Sequence, residues 1–412
     1  MKYRPLLALF FTIFLDMLGI GILIPIIPVL LTDSSSPHYL LPPSMSVAQG
    51  YILLGTILAL FSFGQFIAAP IIGQLSDKFG RKKLLALSIF GTALGHALFA
   101  FGVLFHVLPL LFFARLFAGL SAGNIVVAQA AIADITPPEQ RAKNFGLIGA
   151  AFGLGFVIGP FIGGKLADPH IVSWFSASTP FWFAAILSFL NGILVLSFLR
   201  ETNKFAKEGR VEWGRSIRNI VRALRMKALR PLFITNFLFQ MGFSFYMTFS
   251  TVFLLTRFGF TEGNVGNYFA YVGLWIVFTQ GVVTRVVSRR VGEIHVLRNS
   301  IIMVGLSILV ILLTPEARLL YFIVPFFAIS IGLTQANMTA LISRSAGITI
   351  QGEILGINGS LNALAMTLPP LLSGVVAATF TPEAPLLIAA IIIIGSGLFF
   401  IDHVRREVGR HA

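Results

Sequence analysis

Long apolar runs recur from one end of this chain to the other, and each has about 20 residues, the length that crosses a bilayer as a helix. Only helices and closed barrels satisfy the backbone in lipid, and the alternating pattern of barrel strands does not occur. Charged residues are only 11% of the 412 residues, against roughly 25% in soluble domains. We therefore predict an all-α integral membrane protein with twelve transmembrane helices, at 6–31, 48–75, 84–104, 108–134, 144–167, 180–200, 229–256, 265–288, 297–314, 319–343, 353–379 and 385–403.

Basic residues give the chain a net charge of +14, and their distribution predicts its orientation. If the N-terminus is cytoplasmic, 26 of the 30 lysines and arginines lie on that side. The opposite loops hold only Lys165, Arg257 and Arg318. By the positive-inside rule both termini are then cytoplasmic, and the basic charge requires no nucleic-acid partner.

A polar segment from Arg200 to Arg230 divides the twelve runs into six and six. The halves share a repeat, since "GPFIGGKLA" at 159–167 matches "PPLLSGVVA" at 369–377. An even number of spans separates the copies, so they have the same orientation, as in transporters built from parallel repeats around a central site. We predict two pseudo-symmetric six-helix bundles, and the bounds are 1–200 for the first, 201–228 for a cytoplasmic linker and 229–412 for the second.

Apolar residues recur at helical spacing between the arginines of the linker. They are Trp213, Ile217, Ile220, Val221 and Leu224. This pattern favours an amphipathic helix that lies on the cytoplasmic leaflet. A solvated connector that only fixes orientation stays open as the alternative.

Two motifs in the first half resemble signatures of a known family. "GQLSDKFGRKKLL" at 73–85 resembles the cytoplasmic signature of the major facilitator superfamily, and the matching residues are Gly73, Asp77, Gly80, Arg81 and Lys82. The fifth run resembles the antiporter signature of that superfamily, and its matching residues are Gly149, Gly153, Gly155, Gly159, Pro160, Gly163 and Gly164. With "LDMLGIGILIPIIP", the first half is similar to the twelve-helix drug:proton antiporters, closest to the tetracycline efflux group.

The resemblance implies a role for each motif. The loop around Asp77 and Arg81 would be a conformational latch, while a basic loop that only sets topology remains the alternative. The glycines of the fifth run would let the halves pivot and seal the ion path, although ordinary close packing explains the same spacing. In the second half Arg289 stands in the place of Asp77 and Glu293 in that of Arg81, so a second latch is not predicted.

Polar residues inside the runs are the candidate site. Asp16 lies in the middle of the first run, about 15 Å along the helix from its cytoplasmic end, and an acid in lipid indicates function by default. We predict that Asp16 carries the proton, that Arg115 controls its charge and that His96 is a second candidate carrier. A static pair of Asp16 with Arg115, and a packing role for His96, stay open. The candidates for the substrate cavity are Asn124, Gln129, Gln240, Gln335 and Asn337.

One position departs from the tetracycline exporters. The resemblance implies a carboxylate in the third helix, and this chain has Gly95 there, followed by His96. Tetracycline is therefore not the expected substrate.

The expected function is secondary transport by alternating access, most simply proton-coupled antiport that exports a small amphipathic organic compound. A symporter or uniporter of a metabolite or siderophore-like solute, and a non-transporting membrane receptor, are the alternatives. Neither an enzyme nor a cofactor or metal site is expected, because zinc, phosphate-loop and EF-hand patterns are not seen, and the proton gradient would supply the energy. The expected partners are the substrate, protons and membrane lipids around a monomer in a bacterial inner membrane.

Overall fold

The computed structural model describes residues 4–136, 141–203, 211–227, 229–288, 290–344 and 351–411. Within them the chain is mostly helical, and the connections range from one residue between the third and fourth helices to fourteen residues at 33–46. The helices before the linker are α1 (Arg4–Leu23), α2 (Ile26–Thr32), α3 (Val47–Phe79), α4 (Arg81–Leu104), α5 (Leu108–Ser121), α6 (Asn124–Ile135), α7 (Arg141–Leu166) and α8 (Thr179–Phe198).

The later helices include one π-helical turn, Thr279–Val283, between α11 and α12. They are α9 (Arg215–Arg225), α10 (Arg230–Phe258), α11 (Glu262–Phe278), α12 (Thr284–Ser288), α13 (Glu293–Leu313), α14 (Ala317–Arg344), α15 (Gln351–Ala365), α16 (Leu368–Thr379) and α17 (Ala384–His411).

The predicted membrane-spanning architecture is confirmed. In the described ranges, eleven helical segments are long and apolar enough to cross a bilayer, and each matches a predicted run. The remaining run, 144–167, coincides with α7, of which Gly153–Leu166 forms a shorter apolar stretch. The fold class is all-α and integral to the membrane.

The chain divides into two compact units. The first comprises Met1–Arg215 together with Phe260–Ala270, and the second comprises Ser216–Gly259 together with Tyr271–Ala412. The predicted domain bounds stay a prediction, and residues 260–270 pack within the first unit although they follow the linker in sequence.

Side chains from α1, α4, α6, α7 and α8 pack into one core in the first unit. Its fully buried members include Leu9, Ile13, Leu85, Val127 and Val195. Lipid tails are as apolar as these side chains, so close van der Waals packing rather than transfer out of water holds the helices together. This core fixes α1, which carries Asp16, against its neighbours.

Three of the predicted spans are interrupted within the described residues, and in the eleventh the interruption lies between Ala365 and Leu368. The first bends at Pro25, between α1 and α2, and the fourth is interrupted between Ser121 and Asn124. A break exposes backbone groups, and lipid supplies no partner for them. Such interruptions are therefore tolerated where the protein supplies partners, as it does in the fourth span.

In the second unit, α10 and α15 are joined by amide side chains. The Nδ2 of Asn236 donates to the Oδ1 of Asn358 at 2.8 Å and to the Oδ1 of Asn362 at 2.7 Å. Asn236 is buried, and these bonds supply its amide group with the hydrogen-bond partners that lipid could not provide. They fix α15 on α10.

Candidate functional site

The break in the fourth span positions a buried amide. Gly123 packs so closely on Ile72 that a Cβ there would lie 2.6 Å from that side chain. The carbonyl of Ala122, freed by the break, accepts a hydrogen bond from the Nε2 of Gln65 at 3.3 Å. Asn124 then begins α6 with 1% of its surface exposed. The interruption therefore holds the Asn124 side chain inside the first unit.

Asp16 is the partner of that amide. The Nδ2 of Asn124 donates to the Oδ1 of Asp16 at 2.5 Å. Asp16 also borders a small cavity of about 10 Å³, which has room for one water-sized group. The residues that line the cavity are Asp16, Ile20, Phe61, Gln65, Thr92, His96, Arg115, Ala118 and Ala122. The structure thus brings Asp16, His96 and Arg115 together around one space.

Arg115 enters this cavity from α5 with 9% of its surface exposed. Its guanidinium lies over the ring of Phe61, 4.6 Å from the ring centroid, a favourable cation–π placement. Among the described residues its Nε has no hydrogen-bond partner. Arg115 and Asp16 therefore share a cavity while each side chain has its own neighbour, Phe61 for the first and Asn124 for the second.

The chemistry open to this cavity is proton transfer. A carboxyl group in a low-dielectric space can exist charged or neutral, and a nearby cation favours the charged form. Arginine keeps its own proton and cannot act as a relay. Asp16 and His96 are the groups lining the cavity that can change charge, so they stay the candidate proton carriers.

The glycines of α7 form a smooth face against α1. A Cβ on Gly155 would lie 2.6 Å from the Cβ of Met17, and one on Gly159 would lie 2.8 Å from the Cα of Gly21. Gly163 packs directly on the backbone of Ile22, so that a Cβ there would collide with the Ile22 carbonyl. Larger residues would push α1 away, because small residues are what allow two helix backbones to touch. These glycines set the position of the helix that carries Asp16.

A second face of α7 packs on the start of α11, inside the first unit. Gly266 lies against the carbonyl of Pro160, and Gly164 lies against the backbone of Glu262. Gly153 is buried in α7 as well, whereas only the helical backbone of Gly149 is described. The antiporter-like motif therefore contacts one helix on each side, and its predicted role in pivoting stays a prediction.

The latch candidates form one compact cluster between α3 and α4. Arg81 pairs with Asp77, its Nε donates to the Oδ2 of Asp134 at 3.1 Å, and its Nη1 donates to the Oγ of Ser76 at 2.6 Å. Arg81 is 9% exposed, so these charge-assisted bonds are shielded from water. Gly73 lies nearby on α3. A Cβ added at this position would lie 3.2 Å from the side chain of Val126. The guanidinium of Arg81 thereby links three side chains beside the turn between α3 and α4.

Glu201, just after α8, completes this cluster. Its Oε1 accepts from the backbone N–H of Arg81 at 2.8 Å and its Oε2 from that of Lys82 at 3.2 Å, so it caps the start of α4. Gly80 has φ +101°, and a Cβ there would collide with the Glu201 carboxylate. Asn203 adds a bond from its Nδ2 to the carbonyl of Asp77 at 2.6 Å. Glycine is thus required at position 80 for its conformation and for space.

Sequence reasoning missed Asp134 and Glu201. Both are single acids at the ends of apolar runs, where acids are common and carry little signal alone. The signal that was present is the position of Glu201 directly after the sixth run, in "RETN", at the start of a segment in which basic residues outnumber acids. Only the fold shows that both acids contact Arg81.

In the second half the corresponding charges are exchanged. Arg289 lies outside the described residues, while Glu293 at the start of α13 pairs with Arg344 at the end of α14, with 3.0 Å between Oε1 and Nη1. Arg81 and Asp134 occupy the matching helix ends in the first unit. The second unit therefore has an acid where the first has a base, and a base where the first has an acid.

The candidates for the substrate cavity fall into both units. Asn124 and half-buried Gln129 belong to α6 in the first unit. Gln240, Gln335 and Asn337 belong to the second unit, and the Nδ2 of Asn337 donates to the carbonyl of Leu333 at 2.7 Å. Asn124 is committed to Asp16. A shared role for the five residues in substrate binding stays a prediction.

Comparison with known sequences identifies the chain. The profile of the Major Facilitator Superfamily matches residues 9–370. The chain belongs to this superfamily. It is a membrane transporter with the helical fold predicted from its motifs.

Named relatives match most of this facilitator's length. The class H tetracycline resistance protein of Pasteurella multocida is 32% identical over 364 residues, which are 87% of this chain and 85% of that protein. The class C tetracycline resistance protein of Escherichia coli is 30% identical and covers 97% of this chain and 95% of its own. Multidrug resistance protein 1 of Bacillus subtilis (strain 168) is 28% identical over 90% of both chains.

Solved structures share the fold at lower identity. The human organic anion transporter MFSD10 (TETRAN) has a TM-score of 0.73 at 22% identity, and covers 97% of this chain and 99% of its own. The D-xylose-proton symporter has a TM-score of 0.75 at 15% identity over 97% of both chains. These likenesses concern the major facilitator fold alone.

Proposed function

We propose that this facilitator is a proton-coupled antiporter that exports a small amphipathic organic compound from a bacterial cytoplasm or from the inner leaflet. The observation that carries the proposal is Asp16, a carboxylate inside a membrane span that borders a small cavity with Arg115 and His96. Support comes also from the relatives, whose names concern tetracycline and multidrug resistance. Neither finding favours a symporter, uniporter or receptor.

In the proposed cycle Asp16 takes up a proton from one side and releases it to the other. Alternating access changes how close Arg115 stands to the carboxylate, and a closer cation favours proton release. Asn124, which donates to Asp16, orients the carboxylate throughout. The cycle needs no cofactor, since the proton gradient supplies the energy.

The test uses everted membrane vesicles that are acidified inside. An antiporter accumulates an amphipathic cation such as ethidium in these vesicles, whereas a proton symporter drives its substrate out. Tetracycline serves as a second probe, for which we expect weaker transport because position 95 is glycine. The variant Asp16→Asn should fold and bind ethidium but lose accumulation driven by the pH gradient.

Asp33→Asn is the matched control, because Asp33 directly follows α2 and its side chain accepts only from the backbone N–H and the hydroxyl of Ser35 in the described contacts. It should transport at the wild-type rate. If folded Asp16→Asn protein still accumulates ethidium at a near-normal rate, the proton travels elsewhere, and His96 is the next residue to replace.

The proposal places the protein in a bacterial inner membrane as a monomer, with both termini in the cytoplasm. The cluster of Asp77, Arg81 and Glu201 would then face the cytoplasm and stabilise one of the two access states. Opening of that cluster in the other state would break the bonds of Arg81 to Asp77 and Asp134.

A further inference from the structure

The linker helix α9 has one face packed inside the second unit. Ser216 and Ala223 on that face are buried. The Nδ2 of Asn219 donates to the Oγ of Ser360 on α15 at 3.0 Å. These contacts set the rotation of α9 about its axis, so the direction of its remaining faces is also set.

A neighbouring face of the same segment is apolar and uncovered. The exposed fractions are 75% for Trp213, 64% for Ile217, 41% for Val221 and 53% for Leu224. Ile217, Val221 and Leu224 recur at helical spacing and therefore share one side of α9. In a segment outside the membrane spans, such a row exposes apolar area to water at a cost in free energy.

The third face of α9 is basic. The helix contains Arg215, Arg218, Arg222 and Arg225 and no acid. Between Arg200 and Arg230 the chain has ten lysines and arginines against three glutamates. An apolar row bordered by arginines is the pattern of helices that lie in the interface of an anionic membrane.

Both ends of the linker continue into helices that are long and apolar enough to span a membrane. α8 ends at Phe198 and α10 begins at Arg230, and both are membrane spans. The backbone of Glu212 is bonded to the Gln74 side chain near the end of α3, at 2.9 and 3.2 Å. α9 therefore starts at the end of the spans, within reach of lipid head groups.

We propose that the row formed by Trp213, Ile217, Val221 and Leu224 docks on the membrane surface and that Arg215 and Arg225 of α9 bind anionic phospholipid head groups. The apolar side chains enter the head-group region while the guanidinium groups, which form bidentate bonds with phosphate, lie at its level. This surface is separate from the proton-coupling cavity. The proposal rests on the membrane-spanning fold and not on antiport.

The experiment follows the fluorescence of Trp213 in the full chain. The variant Trp174→Phe, Trp182→Phe and Trp275→Phe leaves Trp213 as the only tryptophan, since the chain has four. It is reconstituted in phosphatidylcholine vesicles whose lipids carry bromine on the acyl chain, with or without phosphatidylglycerol. We expect bromine to quench Trp213, and quenching to increase with phosphatidylglycerol and decrease when salt is added.

Two further pairs of substitutions separate the contributions. Arg215→Gln with Arg225→Gln should remove the increase caused by phosphatidylglycerol. Ile217→Gln with Leu224→Gln should reduce quenching in both kinds of vesicle. All four side chains are exposed, so the thermal unfolding of these proteins should match that of the parent.

A chain that keeps Trp174 alone is the control, because that residue is 70% exposed on the loop between α7 and α8. Its quenching should not respond to phosphatidylglycerol or to the arginine substitutions. The proposal is overturned if Trp213 is quenched by water-soluble acrylamide but not by brominated lipid. Quenching by brominated lipid that appears only after the protein is diluted in lipid would instead assign the row to a second copy, and would equally overturn it.

Discussion

The close packing of α4 on α5 leaves room only for glycine at position 95. A Cβ at this position would lie 2.7 Å from the Cβ of Ala118 and 3.0 Å from its Cα. We expect Gly95→Ala to lower the free energy of unfolding by about 1–3 kcal/mol, because a backbone atom cannot yield to the added methyl group. Thermal unfolding in detergent measures the effect.

Gly356→Ala is the matched control, since nothing lies within 4 Å of a Cβ at that position of α15. There alanine should be neutral or stabilise by about 0.5–1 kcal/mol through its helix propensity. Similar unfolding temperatures for the two variants would contradict the close approach of α4 and α5. The same crowding leaves no space at position 95 for the carboxylate that the resemblance to tetracycline exporters implies.

At the scale of residues, Asp16, His96 and Arg115 could be selected from the sequence because each is an ionisable group inside an apolar run. Their shared cavity supports that selection. The bond from Asn124 to Asp16 could not be predicted, because amides are frequent in spans and most of them join helices. Asp134 could not be predicted either, since its partner Arg81 lies 53 residues away in sequence.

At the scale of elements, the start of α4 depends on a side chain from another helix. Glu201 accepts from two backbone N–H groups of α4, which act as a helix cap. We expect Glu201→Ala to destabilise the protein by about 0.5–2 kcal/mol and to change the rate of transport more than the affinity for substrate. Unfolding in detergent and the substrate dependence of ethidium accumulation measure the two effects.

Glu316→Ala provides the comparison, because Glu316 is an exposed acid in the turn before α14. It should leave stability and rate unchanged. Equal behaviour of Glu201→Ala and Glu316→Ala would mean that the cap is dispensable.

The exchanged charges at Glu293 and Arg344 predict a specific pattern of rescue. Each single substitution, Glu293→Arg or Arg344→Glu, places like charges together and should cost about 0.2–1 kcal/mol, since Arg344 is largely exposed. The double substitution restores an ion pair in the orientation found at Arg81 and Asp134. A double-mutant cycle on unfolding checks this, and purely additive effects would show that the pair does not interact.

The elements themselves were predicted more fully than their interruptions. Hydropathy locates each span because lipid demands a long apolar helix. The break before Asn124 depends instead on Gln65 reaching a freed carbonyl from another helix, and that partner is distant in sequence. Glycines at spacings of four predicted a tight contact for α7, but not that Gly159 would meet Gly21.

At the scale of the whole molecule, the distribution of cations predicts the orientation of the protein. Twelve spans return the chain to the side on which it started, so both termini should be cytoplasmic. A phosphatase that is active only in the periplasm should be silent when fused after Ala412. The same enzyme fused after Asp168, in the loop between α7 and α8, should be active, and the reverse result would invert the topology.

The overall architecture could be predicted because a chain that spans a bilayer must satisfy its backbone hydrogen bonds internally, which leaves only helices and closed barrels. The placement of residues 260–270 in the first unit could not, because it depends on the contact of Gly266 with the carbonyl of Pro160. Sequence order assigns those residues to the second half, and only packing reveals the difference.

The π-helical turn at Thr279–Val283 marks a place where the chain can lose one residue without rotating the rest of the helix. In a regular helix the loss of one residue rotates all that follows by about 100° and turns lipid-facing side chains inward. Here the N–H of Thr284 bonds five residues back to Thr279, so removal of one residue turns the wide turn into an ordinary one and leaves both faces in place. Gly281, with open space around it, is the residue whose deletion the span should survive, and a one-residue gap in distant relatives is expected at this site.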